Sequence, residues 1–140
     1  MDERDIRLLK AIADLGTGSP EQLHEETDIP VSTIHYRLNN LEEEGIITND
    51  LYDVDLEEVG LGVTVIVEIL ADYSGTYDEV ADTFREIEGV TQVYLTMGET
   101  DFIVIANLPD ADTVERLIRD FENLPEVERT NSTFVISTVK

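Results

Sequence analysis

The chain contains no cysteine in its 140 residues, which excludes disulfides, thiolate metal sites and thiol nucleophiles. It is almost as poor in lysine, with only Lys10 and Lys140, and its nine basic residues stand against 32 acids. Long apolar runs are missing as well. The longest, from Val63 to Leu70, contains Glu68, whereas a membrane-spanning helix needs about 20 apolar residues. The opening Met1, Asp2, Glu3 has neither the basic nor the apolar segment of a secretory leader, so the reading predicts a cytoplasmic protein.

What the chain has in excess is negative charge. Its formal net charge is −23, which would strain a compact fold in dilute buffer. At 1 M salt the Debye length falls to about 3 Å, and the same surface becomes tolerable. The acids run along the whole chain instead of clustering as a surface for one basic partner would, so the charge reads as adaptation to a salty cytoplasm. With 41% hydrophobic residues a folded core is expected, not global disorder.

The first fifty residues read as three helices. Asp2 is placed to cap a helix with Ile6, Leu9, Ile12 and Ala13 at helical spacing, stopped by Gly16 and Gly18. Ser19, Pro20 and Gln22 then form a second start, with an N-cap serine, proline at the first helical position and glutamine placed for a capping box. Thr27, Asp28, Ile29 and Pro30 break that helix. A third follows from about Val31 to Glu44, with Ile34, Leu38 and Leu41 on one face and Gly45 at its C-terminal end.

A short helix, a tight turn and a longer helix make a helix-turn-helix, whose second helix enters the DNA major groove. With Ile34, Leu38 and Leu41 turned inward, the side chains left outside include Ser32, Thr33, His35, Tyr36, Arg37, Asn39 and Asn40. In a chain whose other surfaces are carboxylate, this is a dense set of neutral donors and acceptors with one arginine. Such groups read base edges, arginine on guanine and asparagine on adenine. The two histidines, His24 and His35, have no second ligand at metal spacing, so no metal site is assigned. Beyond Gly45, two brief extended pieces around Asn49 and Asp50, reaching to Leu56, would form a small wing. The division is residues 1–48 for DNA binding, 49–61 for wing and linker, and 62–140 for a second domain.

That second domain repeats itself. Strand candidates from Val63 to Leu70 and Val90 to Met97 flank a helix from Tyr77 to Ile87, and strands from Phe102 to Ala106 and Val127 to Val139 flank a helix from Asp112 to Leu124. Val80, Phe84 and Ile87 recur as Val114, Ile118 and Phe121 at a constant offset of 34. Two strand-helix-strand units in tandem give βαββαβ, the ferredoxin-like arrangement, so the fold class is α+β. Its helices cover one face of an antiparallel sheet, and the apolar first strand suggests that a second subunit covers the other. A homodimer would present two reading helices to two half-sites.

Over essentially its whole length the chain resembles the Lrp/AsnC (feast/famine) transcriptional regulators, in a haloarchaeal form. The resemblance rests on Asp2, Asp5 and Leu9, on Ser32, Thr33, Ile34 and Arg37, and on the run Leu41, Glu42, Glu43, Glu44, Gly45, Ile46, Ile47. It continues through Gly60, Gly89, Val90, Gly98, Asp101 and Val127. It implies a sequence-specific DNA-binding regulator of amino-acid or nitrogen metabolism, dimeric and assembling to tetramers or octamers. It also implies an amino-acid effector bound between subunits near the middle turn, which makes Gly98, Thr100 and Asp101 candidate contacts. Taken alone, that turn is an ordinary hairpin connection. The departures from the family are Asp28 where glycine is usual, His24 where a small residue is usual, and Pro30 in place of a capping serine.

Residues 1–48 hold four bases against 11 acids, a net −7 and the wrong sign for ordinary phosphate attraction. An enzyme on the ferredoxin-like half would need a nucleophile or an acid-base pair. Without cysteine, and with both histidines in the helical half, that reading is set aside, and no cofactor is assigned. Two alternatives are a metabolite or partner sensor that no longer binds DNA and an architectural protein coating DNA without sequence preference.

Overall fold

The computed structural model describes residues 1–48, 54–72 and 76–139, and the chain divides into two compact units, Met1–Asp53 and Val54–Lys140. In the first unit, α1 (Glu3–Leu15) starts at Asp2, whose carboxylate accepts from the backbone N–H of Asp5 while the Asp5 carboxylate accepts from that of Asp2. The two orphan donors of the helix start are satisfied reciprocally. Gly16, at φ +67, ends the helix in the left-handed region that glycine enters without steric cost. Helix α2 (Pro20–Thr27) begins at Ser19 without the expected capping box; the Ser19 hydroxyl donates instead to Glu21. Asp28 turns the chain at φ +59, a conformation aspartate tolerates. Helix α3 (Val31–Glu43) then follows, and Gly45 takes the left-handed position after its end.

Leu8, Ala11, Leu23, Ile29 and Ile34 form the core of this unit, with Ile12 and Leu38 packed at its edge. The buried stripe of α1 therefore lies on Leu8 and Ala11, whereas Ile6 and Ala13 are exposed and Leu9 is half-buried. The expected wing turn at Asn49 and Asp50 lies outside the described residues. Neither Ile46–Thr48 nor Val54–Leu56, the described parts of the expected wing, is strand.

The second unit runs β1 (Val63–Ala71), α4 (Tyr77–Arg85), β2 (Val90–Leu95), β3 (Phe102–Leu108), α5 (Ala111–Glu122) and β4 (Val127–Phe134). The strands form one antiparallel sheet in the order β2-β3-β1-β4, the ferredoxin-like topology. The internal repeat extends to the caps: Thr76 and Asp110, also 34 residues apart, each accept from the backbone N–H three residues on. Val65, Val67 and Ile69 of β1 and Phe102, Val104 and Ala106 of β3 point to the helices and are fully buried with Val114, Phe84 and Phe121. Phe84 meets Phe102 and Phe121 edge-on, with ring centroids 5.1 and 5.5 Å apart, the arrangement that aligns the positive edge of one ring with the negative face of the next.

The opposite face of β1 carries Thr64, Ile66, Glu68 and Leu70, all half-buried. It is mixed in polarity, not apolar throughout. At one end, Asn107 ties three strands together: it accepts from the Thr91 hydroxyl and donates to that of Thr64. Strand β4 stops at Phe134, five residues before the expected end at Val139.

Candidate nucleic-acid interface

Helix α3 is held by its inner face. Ile34 and Leu41 are buried and Leu38 is packed beside them, so the residues between these positions must face away. Ser32, His35, Tyr36 and Asn39 are all exposed, Tyr36 at 68%. Their spacing of three and four residues puts them in one stripe along the helix. Thr33 and Asn40 are half-buried at its margins. The stripe carries no formal charge, and acids resume only at Glu42, Glu43 and Glu44. No side chain caps the first turn of α3, because Pro30 occupies the N-cap position; the backbone N–H groups there keep their affinity for an anion.

Arg37 departs from the outward position expected of it. Its Nη1 donates to both carboxylate oxygens of Asp2 at 2.7 Å and to Oδ1 of Asp5 at 3.0 Å. Its side chain is 20% exposed, and Nε is buried without a hydrogen-bond partner. The physical reason is placement: three residues after Ile34, position 37 sits at the edge of the buried face, where α3 meets the start of α1. The hydrogen bond from Arg37, reinforced by the backbone N–H of Asp5, holds the Asp2 carboxyl well below its usual range, at about 2. The same bonds, to Asp2 first and then Asp5, raise the Arg37 guanidinium.

A second arginine is similarly engaged. Arg7 donates from Nη2 to the carbonyl of Thr27 at 2.6 Å, at the electronegative C-terminal end of α2. His24 lies 2.7 Å through Nδ1 from the carbonyl of Ile29. It holds the turn between the paired helices. Among the described residues, no group of three His, Cys, Asp or Glu is arranged to hold a metal ion, and no helix is long and apolar enough to cross a membrane.

The candidate effector residues surround the connection from β2 to β3. Gly98 is exposed at its tip. Thr100 lines a cleft of about 350 Å³ with Glu68, Leu70, Glu99, Arg129 and Asn131; Gly98 and Asp101 are not among its lining residues. Asp101 is part of the sheet itself: its Oδ2 accepts from the N–H of Ala71 at 2.9 Å, and its own N–H donates to Ile69. The Thr96 hydroxyl donates to the carbonyl of Thr100, so the turn is pinned on both sides. Sequence reading did not reach Glu68, Arg129 or Asn131, because only the pairing of β1 with β4, which sets Glu68 opposite Asn131, brings them to this cleft. A larger cleft of about 590 Å³ lies between the start of β2, the end of β3 and α5, lined by Val90, Leu108, Arg116 and Leu117 among others.

Two family models match the chain, one in each half. Residues 1–48 match a winged helix-turn-helix DNA-binding family model, and residues 64–140 match the Lrp/AsnC ligand binding domain. An uncharacterized HTH-type transcriptional regulator of Pyrococcus horikoshii is 31% identical over 122 residues, covering 86% of this chain and 81% of its own. The HTH-type transcriptional regulator FL11 of the same organism is 26% identical over all 140 residues, 92% of its own length. Among solved structures, a transcriptional regulator of Neisseria meningitidis in complex with L-methionine superposes with a TM-score of 0.80 at 24% identity, over 100% of this chain and 92% of the other. E. coli AsnC superposes at 0.74 and 21% identity, over 100% and 95%.

Proposed function

The chain belongs to the Lrp/AsnC family of transcriptional regulators, and from that premise we propose that it recognises operator DNA through the neutral stripe of α3. Ser32, His35, Tyr36 and Asn39 supply the groove contacts, with Thr33 and Asn40 at the margins. Arg37 is left out of that set because Asp2 and Asp5 hold its guanidinium. The observation that carries the reading is the stripe itself: four exposed, uncharged polar side chains in register, in a chain of net charge −23. Phosphates are met by the side-chain-uncapped start of α3 and by cations taken up from solution, not by a basic patch.

Residues 1–48 act as the DNA-binding domain, 49–61 as wing and linker, and 62–140 as the assembly and sensing domain of a cytoplasmic dimer that builds to tetramers or octamers. The excess of acid over base is an adaptation to molar salt of the haloarchaeal kind. The effector is a free amino acid, bound near Gly98, Thr100 and Asp101, and the genes controlled belong to amino-acid or nitrogen metabolism. The support is the L-methionine carried by the Neisseria regulator of the same fold and a turn already fixed by Asp101 and Thr96.

The test is selection of duplexes from a random library by the full chain in 2 M KCl. A defined, two-fold symmetric motif whose affinity drops in Tyr36→Ala and Asn39→Ala is expected. Binding to scrambled duplexes as tight as to selected ones would leave an architectural protein, and no DNA binding would leave a sensor.

A further inference from the structure

Arg37 is the one base in α3, and the reading above leaves it without a task on DNA. We propose that Arg37 is a positioning residue: through Asp2 and Asp5 it sets the orientation of α3 against α1, so the acid pair at the start of α1 governs how the reading stripe is presented. The inference rests on the DNA-recognition reading of α3 and adds a partner pair within the chain.

Four observations carry it. All three bonds to the carboxylates leave from one nitrogen, Nη1. Nε is buried and unpartnered, so only Nη2 remains, whereas the contact of an arginine with guanine needs two parallel donors. A guanidinium in this state cannot read a base bidentately without first giving up two carboxylates. Moreover, Asp2 and Asp5 are already fixed by the capping box they form with each other's backbone. Their oxygens are anchored to the helix axis instead of swinging on free side chains, and a bond to them transmits the position of α1 to α3. The side chains of Asp5 and Arg37 are 14% and 20% exposed, so contact distance and partial burial protect the pair from the screening that molar salt imposes on open surface pairs.

The alternatives are a direct DNA contact by Arg37 and a merely structural pair. The experiment uses the full chain and a duplex it has itself selected, in 2 M KCl, with affinity read by fluorescence anisotropy and folding by circular dichroism. Arg37→Lys retains affinity within about threefold, because a single ammonium can replace a single nitrogen. Arg37→Gln and the double variant Asp2→Asn, Asp5→Asn each lose affinity about tenfold. Asparagine is as good an N-cap as aspartate, so the second variant removes charge and keeps the cap. Combining all three substitutions costs no more than Arg37→Gln alone, and the loss spreads over every base pair that α3 reads.

Tighter or unchanged binding by the Asp2→Asn, Asp5→Asn variant, beside weaker binding by Arg37→Gln, overturns the proposal in favour of a direct contact. So does a loss confined to one base pair. A lower melting temperature with unchanged affinity in the folded protein reduces the pair to a structural role and also overturns it. Tyr36→Ala and Asn39→Ala serve as controls on the underlying reading: if they bind as the parent does, that reading fails whatever Arg37 does.

Discussion

Raising KCl separates a groove-reading acidic protein from an ordinary phosphate binder, and the structure bounds the size of the effect. For DNA the logarithm of the binding constant falls with the logarithm of salt at about −0.9 per phosphate neutralised by the protein. The reading domain has Arg4, Arg7, Lys10 and Arg37, and the guanidinium groups of Arg7 and Arg37 bond to Thr27 and to Asp2 and Asp5. That leaves at most Arg4 and Lys10 per chain for phosphates, or four contacts in the proposed dimer. The steepest slope the geometry allows is about −3.6, a loss of about 4,000-fold for a tenfold rise in salt. If the stripe of α3 and cations taken up from solution carry the binding, the slope lies above that bound, near zero or positive, because each cation taken up opposes the loss from counterion release. A dimer using all eight bases would instead show about −7. Anisotropy titrations of a selected duplex from 0.3 to 3 M KCl measure it directly. A slope steeper than about −5 would refute the reasoning, since it requires the braced arginines to have moved onto phosphate.

Asn39→Ala should weaken binding to the selected duplex by roughly 1–3 kcal/mol if Asn39 pairs bidentately with adenine, leave the melting temperature unchanged, and relax selectivity at one base pair. In the sensing domain, Phe84→Ala should cost about 3–5 kcal/mol of stability, read by denaturant unfolding, because Phe84 is fully buried between Phe102 and Phe121. Gly89→Ala should destabilise by more than the roughly 1–3 kcal/mol of its φ of +92 alone, since a Cβ there would run into the Leu108 side chain; Gly98→Ala, which meets no atom within 4 Å, should cost less in the same assay. The Asp2 carboxyl is lowered from 3.8 to about 2, so its contribution is fully present above about pH 4 and is lost as pH falls through about 2. The carboxyl NMR shift of Asp2 and the guanidinium NMR shifts of Arg37, which donates to that carboxylate, should change together in that window, and a midpoint for Asp2 near 4 would argue that the brace is absent in solution.

How far the sequence could be read depended on whether the signal was local. Caps and breakers are local, so Asp2, Gly16, Pro20 and Gly45 marked the helix ends, and the offset of 34 exposed the tandem unit. The face of α1 was read one stripe away because Ile6, Leu8, Leu9, Ala11, Ile12 and Ala13 cover much of its circumference. Both Leu8 with Ala11 and Ile6 with Leu9 satisfy helical spacing, and only packing against Leu23 and Ile34 chooses between them. The capping box at Ser19 does not form even though its signal is local, because the serine hydroxyl donates to the neighbouring Glu21 instead. At the candidate interface the uncharged stripe was visible in the sequence as an interruption in the acids. Arg37 was misplaced because its partners lie 35 and 32 residues away and no periodicity links them. The cleft beside Thr100 was missed for want of the β1–β4 register.

The disposition of the arginines follows from the same electrostatics as the acids. In a chain with 32 acids, a base held at long range gains little once the Debye length is about 3 Å, whereas a base in direct contact keeps its hydrogen bonds whatever the salt. Arg7 and Arg37 are both in contact, at 2.6 and 2.7 Å, and each joins two of the three helices: α1 to the end of α2, and α3 to the start of α1. A domain of fewer than fifty residues has a small core, here built, among the described residues, around Leu8, Ala11, Leu23, Ile29 and Ile34, so such ties matter more to it than to a larger body. Using cations as internal ties leaves fewer of them for the DNA backbone. On the proposed reading such a regulator takes its affinity from the groove and, in the proposed dimer, from a second copy, and the outward stripe of α3 carries no formal charge.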